Sequence, residues 1–187
     1  MSNTSEMTID FKCIDYLKNG NEKQQHIYNI LTTHQLLQHL AHHHPIVVGT
    51  FPLGIDIENS DVDIIVEIKN RENLKNLLKD KCSTYAQFNL ADLEDGKLLC
   101  HFEIEDIPFE IYAADQLTTQ QFGYLHLLKE YEILQYEGEA FRQHLIALKR
   151  EGLKTEPAFC HVLGISGDPY IELLNYTCSK YALVPPN

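Results

Sequence analysis

The 187 residues carry 27 acidic and 15 basic side chains, a formal charge of −12, and an apolar fraction of 44%. A chain of this length and apolar content can bury a substantial core as one domain, and its acidity gives no electrostatic footprint for extended DNA or RNA. No apolar run approaches membrane-spanning length and MSNTSEMTID has no hydrophobic signal core, so a soluble, cytoplasmic protein with no membrane partner is expected. The five cysteines are scattered, odd in number and without CxxC spacing, which fits reduced thiols better than a disulfide framework or a zinc site.

After a polar start, Ile27, Ile30, Leu31, Leu36, Leu37 and Leu40 recur at helical spacing. They predict an amphipathic helix over 21–43, with room for an interruption. His42, His43 and His44 close it before Pro45. Consecutive helical residues point about 100° apart and rarely share one ion, so the structural reading is preferred to a metal site. Ile46-Val47-Val48 reads as a short buried strand ending at Gly49, followed by a turn marked by Pro52 and Gly54. A second strand spans 61–68, with Val62, Ile64, Val66 and Ile68 on one face and Asp61, Asp63, Ile65 and Glu67 on the other.

Arg71–Lys81 reads as a helix with Leu74, Leu77 and Leu78 on one side. Residues 82–96 show no clear period and end in the turn Glu94-Asp95-Gly96. Residues 97–105 and 107–112 then form two strands joined near Asp106, and Pro108 argues for a strand start or an edge position. From Thr118 the chain turns helical. Phe122, Leu125, Leu128 and Ile133 predict one apolar stripe, and Phe141, Leu145 and Leu148 a second that Gly152 closes. Shorter helices follow over 156–163, ended by Gly164, and over 169–178, opened by Asp168 and Pro169. The expected fold class is α+β, a mixed β-sheet flanked by helices and followed by a helical C-terminal half. The expected division is a core over 10–116 and a helical region over 117–187.

The chemistry concentrates in IVVGTFPLGIDIENSDVDIIVE. Asp61 and Asp63 project together, since strand residues two apart share a face. The Gly49-Thr50 turn offers N–H donors and a hydroxyl suited to phosphate. Two carboxylates so placed can bind hard divalent cations, and a third from a neighbouring strand can complete the set. Glu110, framed by Phe109 and Ile111, is the candidate, with Glu103 and Glu105 as alternatives. The plain reading has Asp61 following a turn and Asp63 facing solvent on an edge strand; the Gly-Thr spacing favours the metal role. Lys129, Arg142, Lys149, Arg150 and Lys154 lie where a nucleotide or acceptor could be held, although most read as a solvated helix face. Tyr112, Tyr124 and Tyr131 read as core or rim rather than base-stacking platforms.

Val48-Gly49-Thr50, the spacer, and Asp61-Val62-Asp63-Ile64 together resemble the signature of the nucleotidyltransferase superfamily, the DNA polymerase beta-like fold of minimal and antibiotic nucleotidyltransferases. Gly54 matches a second glycine, Ser60 a serine before the first aspartate, and Glu110 the third carboxylate of that superfamily. Thr50 and Phe51 depart from it, standing where relatives carry serine and often arginine. The wider chain, through GNEKQQ, FRQHLIALK and LKTEPAF with GDPY, is similar to a bacterial family of unknown function within the superfamily. The resemblance implies transfer of a nucleoside monophosphate from an NTP, expected to be ATP, to a hydroxyl of a small-molecule or protein acceptor. It further implies Mg²⁺ or Mn²⁺ on Asp61, Asp63 and Glu110, the same residues being catalytic, and nucleotide contacts from Gly49, Thr50 and Ser60. The alternative is an inactive nucleotide- or protein-binding module of the same fold.

Overall fold

The computed structural model describes residues 9–178. A short helix α1 (Asp15–Lys18) precedes α2 (Glu22–Thr33), which opens on a reciprocal cap: Asn21 accepts from the Gln24 N–H while the Gln24 side chain accepts from the Asn21 N–H. The expected single helix over 21–43 is instead three pieces. Gln35 adopts left-handed φ/ψ (54°, 30°), so the chain restarts as α3 (Leu36–His39) and then a 3₁₀ turn at Ala41–His43. The breaks let Ile30, Leu31, Leu36 and Leu40 all reach one core. The histidines take the structural role. His43 Nδ1 lies 2.8 Å from the Glu67 carbonyl oxygen and His44 Nδ1 2.8 Å from Glu67 Oε2, which fastens this turn to the far end of the second strand.

Strands β1 (Ile46–Val48) and β2 (Val62–Glu67) flank the glycine turn, and α4 (Arg71–Cys82) follows. β3 (Ala86–Asp92), β4 (Leu98–Ile104) and β5 (Ile107–Ala114) complete a five-stranded mixed sheet in the order β1-β2-β5-β4-β3. β2 and β5 run parallel; the other pairs are antiparallel. β4 and β5 meet through Glu105 and Asp106, both at positive φ, as a tight two-residue hairpin turn requires. Pro108 sits one residue into β5, where a missing N–H is tolerated, although β5 lies at the centre of the sheet and not at its edge.

The C-terminal half is α5 (Phe122–Glu137), α6 (Glu139–Arg150), α7 (Thr155–Leu163) and α8 (Pro169–Asn175). Asp168 caps α8 by accepting from the Tyr170 N–H, and the helix ends at Asn175, short of the expected 178. Two cores sandwich the sheet. Val62, Ile64 and Val66 of β2 join Ile30, Leu74 and Leu78 on one face. Val48 and Ile65 join Leu127, Leu145 and Phe159 on the other. Gly123 brings α5 close to the second face: a Cβ there would press on Val48 and Ile65. The buried Gln121 donates to the carbonyls of Val66 (3.0 Å) and Gln116 (2.9 Å), which sets where α5 begins.

One expected stripe is wrong. Of its four residues Ile133 is buried, but Phe122, Leu125 and Leu128 are exposed, and α5 instead buries Tyr124, His126, Leu127, Glu130 and Leu134. Apolar residues stand on both sides of the helix, and the two polar ones on the inward side, which line a cavity, mask the buried stripe.

Candidate active site

Asp63 and Glu110 are register partners on the parallel strands β2 and β5, so their side chains leave the same face of the sheet side by side. Asp61 precedes β2 on that face. Glu103 pairs with Pro108 further along the hairpin, and Glu105 stands in the hairpin turn 3.4 Å from His26; neither lines the cavity. β2 lies between β1 and β5, so Asp63 is not on an edge strand. Asp61, Asp63, Glu110, Gly49, Thr50 and Ser60 all line one open cavity of about 850 Å³ between the sheet and the C-terminal helices.

Gly49 has φ +73°, and a Cβ at this position would collide with Asp63 Oδ2. Only glycine lets the turn close onto that carboxylate. The Thr50 carbonyl accepts from Leu53 and Ile55 N–H, both at 3.2 Å, and the Phe51 carbonyl from Gly54 N–H at 3.2 Å. Phe51 itself is buried in the first core, so this position of the turn is spent on packing. Ser60 Oγ accepts from Ile57 N–H at 2.9 Å and squares the loop before β2.

The loop between β1 and β2 is held from outside by long side chains. Gln24 donates to the Phe51 carbonyl (2.7 Å), Lys23 pairs with Asp56 (2.8 Å), Arg142 donates to the Leu53 carbonyl, and Lys149 to the Ile55 carbonyl (2.8 Å). Arg150 pairs with Glu58 at 2.8 Å. Lys149 is therefore not part of a solvated helix face: it is 5% exposed. Lys129 pairs with Glu132 (2.8 Å) and donates to the Tyr176 carbonyl (3.0 Å). Of the five basic residues singled out in the helical half, Lys154 is the one whose side chain has no ion pair or hydrogen bond among the described residues, and it lines the cavity.

Electrostatics follow from crowding. The Asp63 carboxyl is pushed up to about 8 by burial first, then by Asp61, Glu110 and Glu156. Glu110 is raised by burial and by Asp61, against the opposing pull of His101 and Lys154; His101 Nδ1 stands 3.5 Å from Glu110 Oε2. Lys149 is pushed down to about 8 by burial, opposed by Glu130, Asp56, Glu156 and Asp63. An all-oxygen set of three neighbouring carboxylates, crowded until one holds its proton near neutrality, suits a hard divalent cation. The residues fit the ion that the fold family implies.

The cavity also holds residues that sequence reading passed over. His126 and Glu130 from α5 and Glu156 from α7 stand at its helical side. Their one signal was spacing, a histidine and a glutamate four apart on a helix, which puts both on one face.

Comparison with known families places this chain in the family described as Domain of unknown function (DUF4269), whose model matches residues 29–176. The chain belongs to that family. Comparison with curated proteins finds no match. Among solved structures, the chain is similar to Cid1, described with an RNA terminal uridylyl transferase activity, at 12% identity and a TM-score of 0.53 over 73% of this chain and 45% of that one. It is also similar to the polymerase core of TRAMP, an RNA surveillance complex, at 16% identity and a TM-score of 0.50 over 86% and 50%. The chain spans about half the length of these structures. At such identities the likeness is one of fold: the α+β, nucleotidyltransferase-like architecture expected from the sequence is the one found. The expectation against extended nucleic acid gains no support, since both neighbours are described in connection with RNA. No helix among the described residues is long and apolar enough to cross a membrane.

Proposed function

We propose that this DUF4269 member is a nucleotidyltransferase that moves a nucleoside monophosphate from an NTP, ATP foremost, to a hydroxyl of an acceptor and releases pyrophosphate. One observation carries the reading: Asp63 and Glu110 are paired on adjacent parallel strands, Asp61 stands on the same face, and a glycine turn is closed against Asp63. In this reading Asp61, Asp63 and Glu110 hold Mg²⁺ or Mn²⁺, which when bound supplies positive charge where negative charge develops on the transferred phosphoryl group.

The chain's own residues do the rest. The Gly49-Thr50 turn and the Ser60 hydroxyl receive phosphate oxygens, and Lys154, free of other partners, supplies the cation that Phe51 does not. The acceptor oxygen bonds to the α-phosphorus as the bond from that phosphorus to the β-phosphate bridging oxygen breaks, and pyrophosphate leaves. The acceptor's proton passes to Glu110, the carboxylate set beside Asp63 on the neighbouring strand.

The test is to incubate the protein with each labelled NTP, Mg²⁺ or Mn²⁺ and a cell extract, following both the label and pyrophosphate. Label moving onto an extract component with matching pyrophosphate release is expected, and Asp63→Asn should abolish both. Turnover unchanged in that variant would sink the assignment.

A further inference from the structure

At the helical side of the cavity, one ligand-capable atom from each of His126, Glu130 and Glu156 lies within 4.8 Å of the other two. His126 and Glu130 are four apart on α5, and Glu156 projects from the first turn of α7. His126 is 6% exposed and Glu130 3%. His126 Nδ1 is buried without a hydrogen-bond partner among the described residues. Neither glutamate has an ion pair or hydrogen bond there, and the nearest buried cation, Lys149, is already engaged with the Ile55 carbonyl.

Buried polar groups are normally satisfied, and buried carboxylates are normally paired or bound to metal. Here a buried imidazole nitrogen without a partner, a buried carboxylate and a half-buried one converge, and no protein side chain forms an ion pair or hydrogen bond with any of them among the described residues. A small cation among them would partner all three. We infer that His126, Glu130 and Glu156 form a second metal site that takes a first-row transition ion of the Mn²⁺ to Zn²⁺ range. The imidazole nitrogen decides the class, because Mg²⁺ and Ca²⁺ take oxygen ligands whereas Mn²⁺, Fe²⁺, Co²⁺ and Zn²⁺ accept a mixed nitrogen and carboxylate set. Three protein ligands leave a coordination position facing the cavity. The ion would tie α5 to α7 and place positive charge opposite the strand-borne carboxylates. None of this depends on nucleotide transfer.

The experiment uses the full chain, stripped with chelator and titrated with Co²⁺, with visible ligand-field absorption and bound metal measured by mass spectrometry. Wild type and Asp63→Asn should both bind Co²⁺ with the same visible bands. Glu130→Gln and Glu156→Gln, nearly isosteric, should weaken that binding at least about tenfold. With Mn²⁺ bound, electron spin-echo spectra should show nitrogen coupling that His126→Gln removes. The inference is overturned if wild type binds no Co²⁺, if Asp63→Asn alone abolishes the bands, or if the bound ion shows no nitrogen coupling. It is overturned equally if the three Gln variants, folded by circular dichroism, bind Co²⁺ as wild type does; should one of them fail to fold, the other two decide. A catalytically dead protein that passes it would overturn the transferase reading and keep the site.

Discussion

On one face of β2, Val62, Ile64 and Val66 share a wholly apolar core with Ile30, Leu74 and Leu78. On the other, Asp63 and Glu67 alternate with Ile65, and the layer above them holds His126, Glu130 and Lys149 within or against the cavity. Both faces are covered by helices, yet only one is packed for stability. A slip of two residues would keep every side chain on its face but part Asp63 from Glu110, whereas a slip of one would turn the carboxylates into the first core. The register therefore protects the chemistry, and the apolar face is what enforces the register.

Adjacent residues offer the sharpest way to break this contrast. Asp63→Asn should cut nucleotide transfer by about 10²–10³-fold or more while leaving the melting temperature unchanged or higher. Ile64→Ala, one residue along and on the other face, should cost about 2–5 kcal/mol of stability with activity per folded molecule retained. If both variants lose activity and stability together, the two faces are not separable. Gly49→Ala should come next. Its Cβ meets Asp63 Oδ2 at a positive φ, so activity should fall about tenfold or more, with a smaller stability loss of about 1 kcal/mol. Lys154→Ala, free of structural partners, should raise KM for the NTP about tenfold without moving the melting temperature, as expected for losing one charged contact to phosphate.

A pH series sharpens the same contrast. Asp63 keeps its proton in the folded, metal-free protein up to about 8, whereas the unfolded chain releases it near 3.8. Between these values the folded state binds the extra proton, so stability falls as pH rises through the window and levels off above it. Asp63→Asn lacks this component. The gap in melting temperature between variant and wild type should widen from pH 5 to 8 and close on adding Mg²⁺. At the bottom of the scale, Arg150→Ala should give no measurable change in stability, because its pairing with Glu58 is exposed.

Much of the site was legible because it sits where local rules are strong. Alternation over 61–68 and the glycine turn put Asp61 and Asp63 on one face without tertiary information, whereas Glu110 stood level with Glu103 and Glu105 until the register of β2 and β5 set it beside Asp63. β3 was not legible: as an edge strand it is half exposed along its length, and it carries an irregularity between Ala86 and Asn89, so no alternation survives in the sequence. Gln35 was equally hidden, since a left-handed glutamine inside a helical period has no local signature. α5 misled in the opposite sense. It carries apolar residues on both sides, with Phe122, Leu125 and Leu128 outward and Tyr124, Leu127 and Leu134 inward beside the polar His126 and Glu130, so periodicity picks the wrong stripe.

The anchors on the loop between β1 and β2 have a consequence for how this protein could be shortened. Lys23 and Gln24 reach it from α2, while Arg142, Lys149 and Arg150 reach it from α6. A chain cut after Ala114 would keep all three strand-borne carboxylates and lose every one of the loop's C-terminal moorings. Such a fragment would also bare the second face of the sheet, while Ile55 and Leu53 give up their partners and the glycine turn drifts from Asp63. The carboxylates are thus portable as a motif but not as a working part: their geometry is borrowed from helices far downstream in the chain.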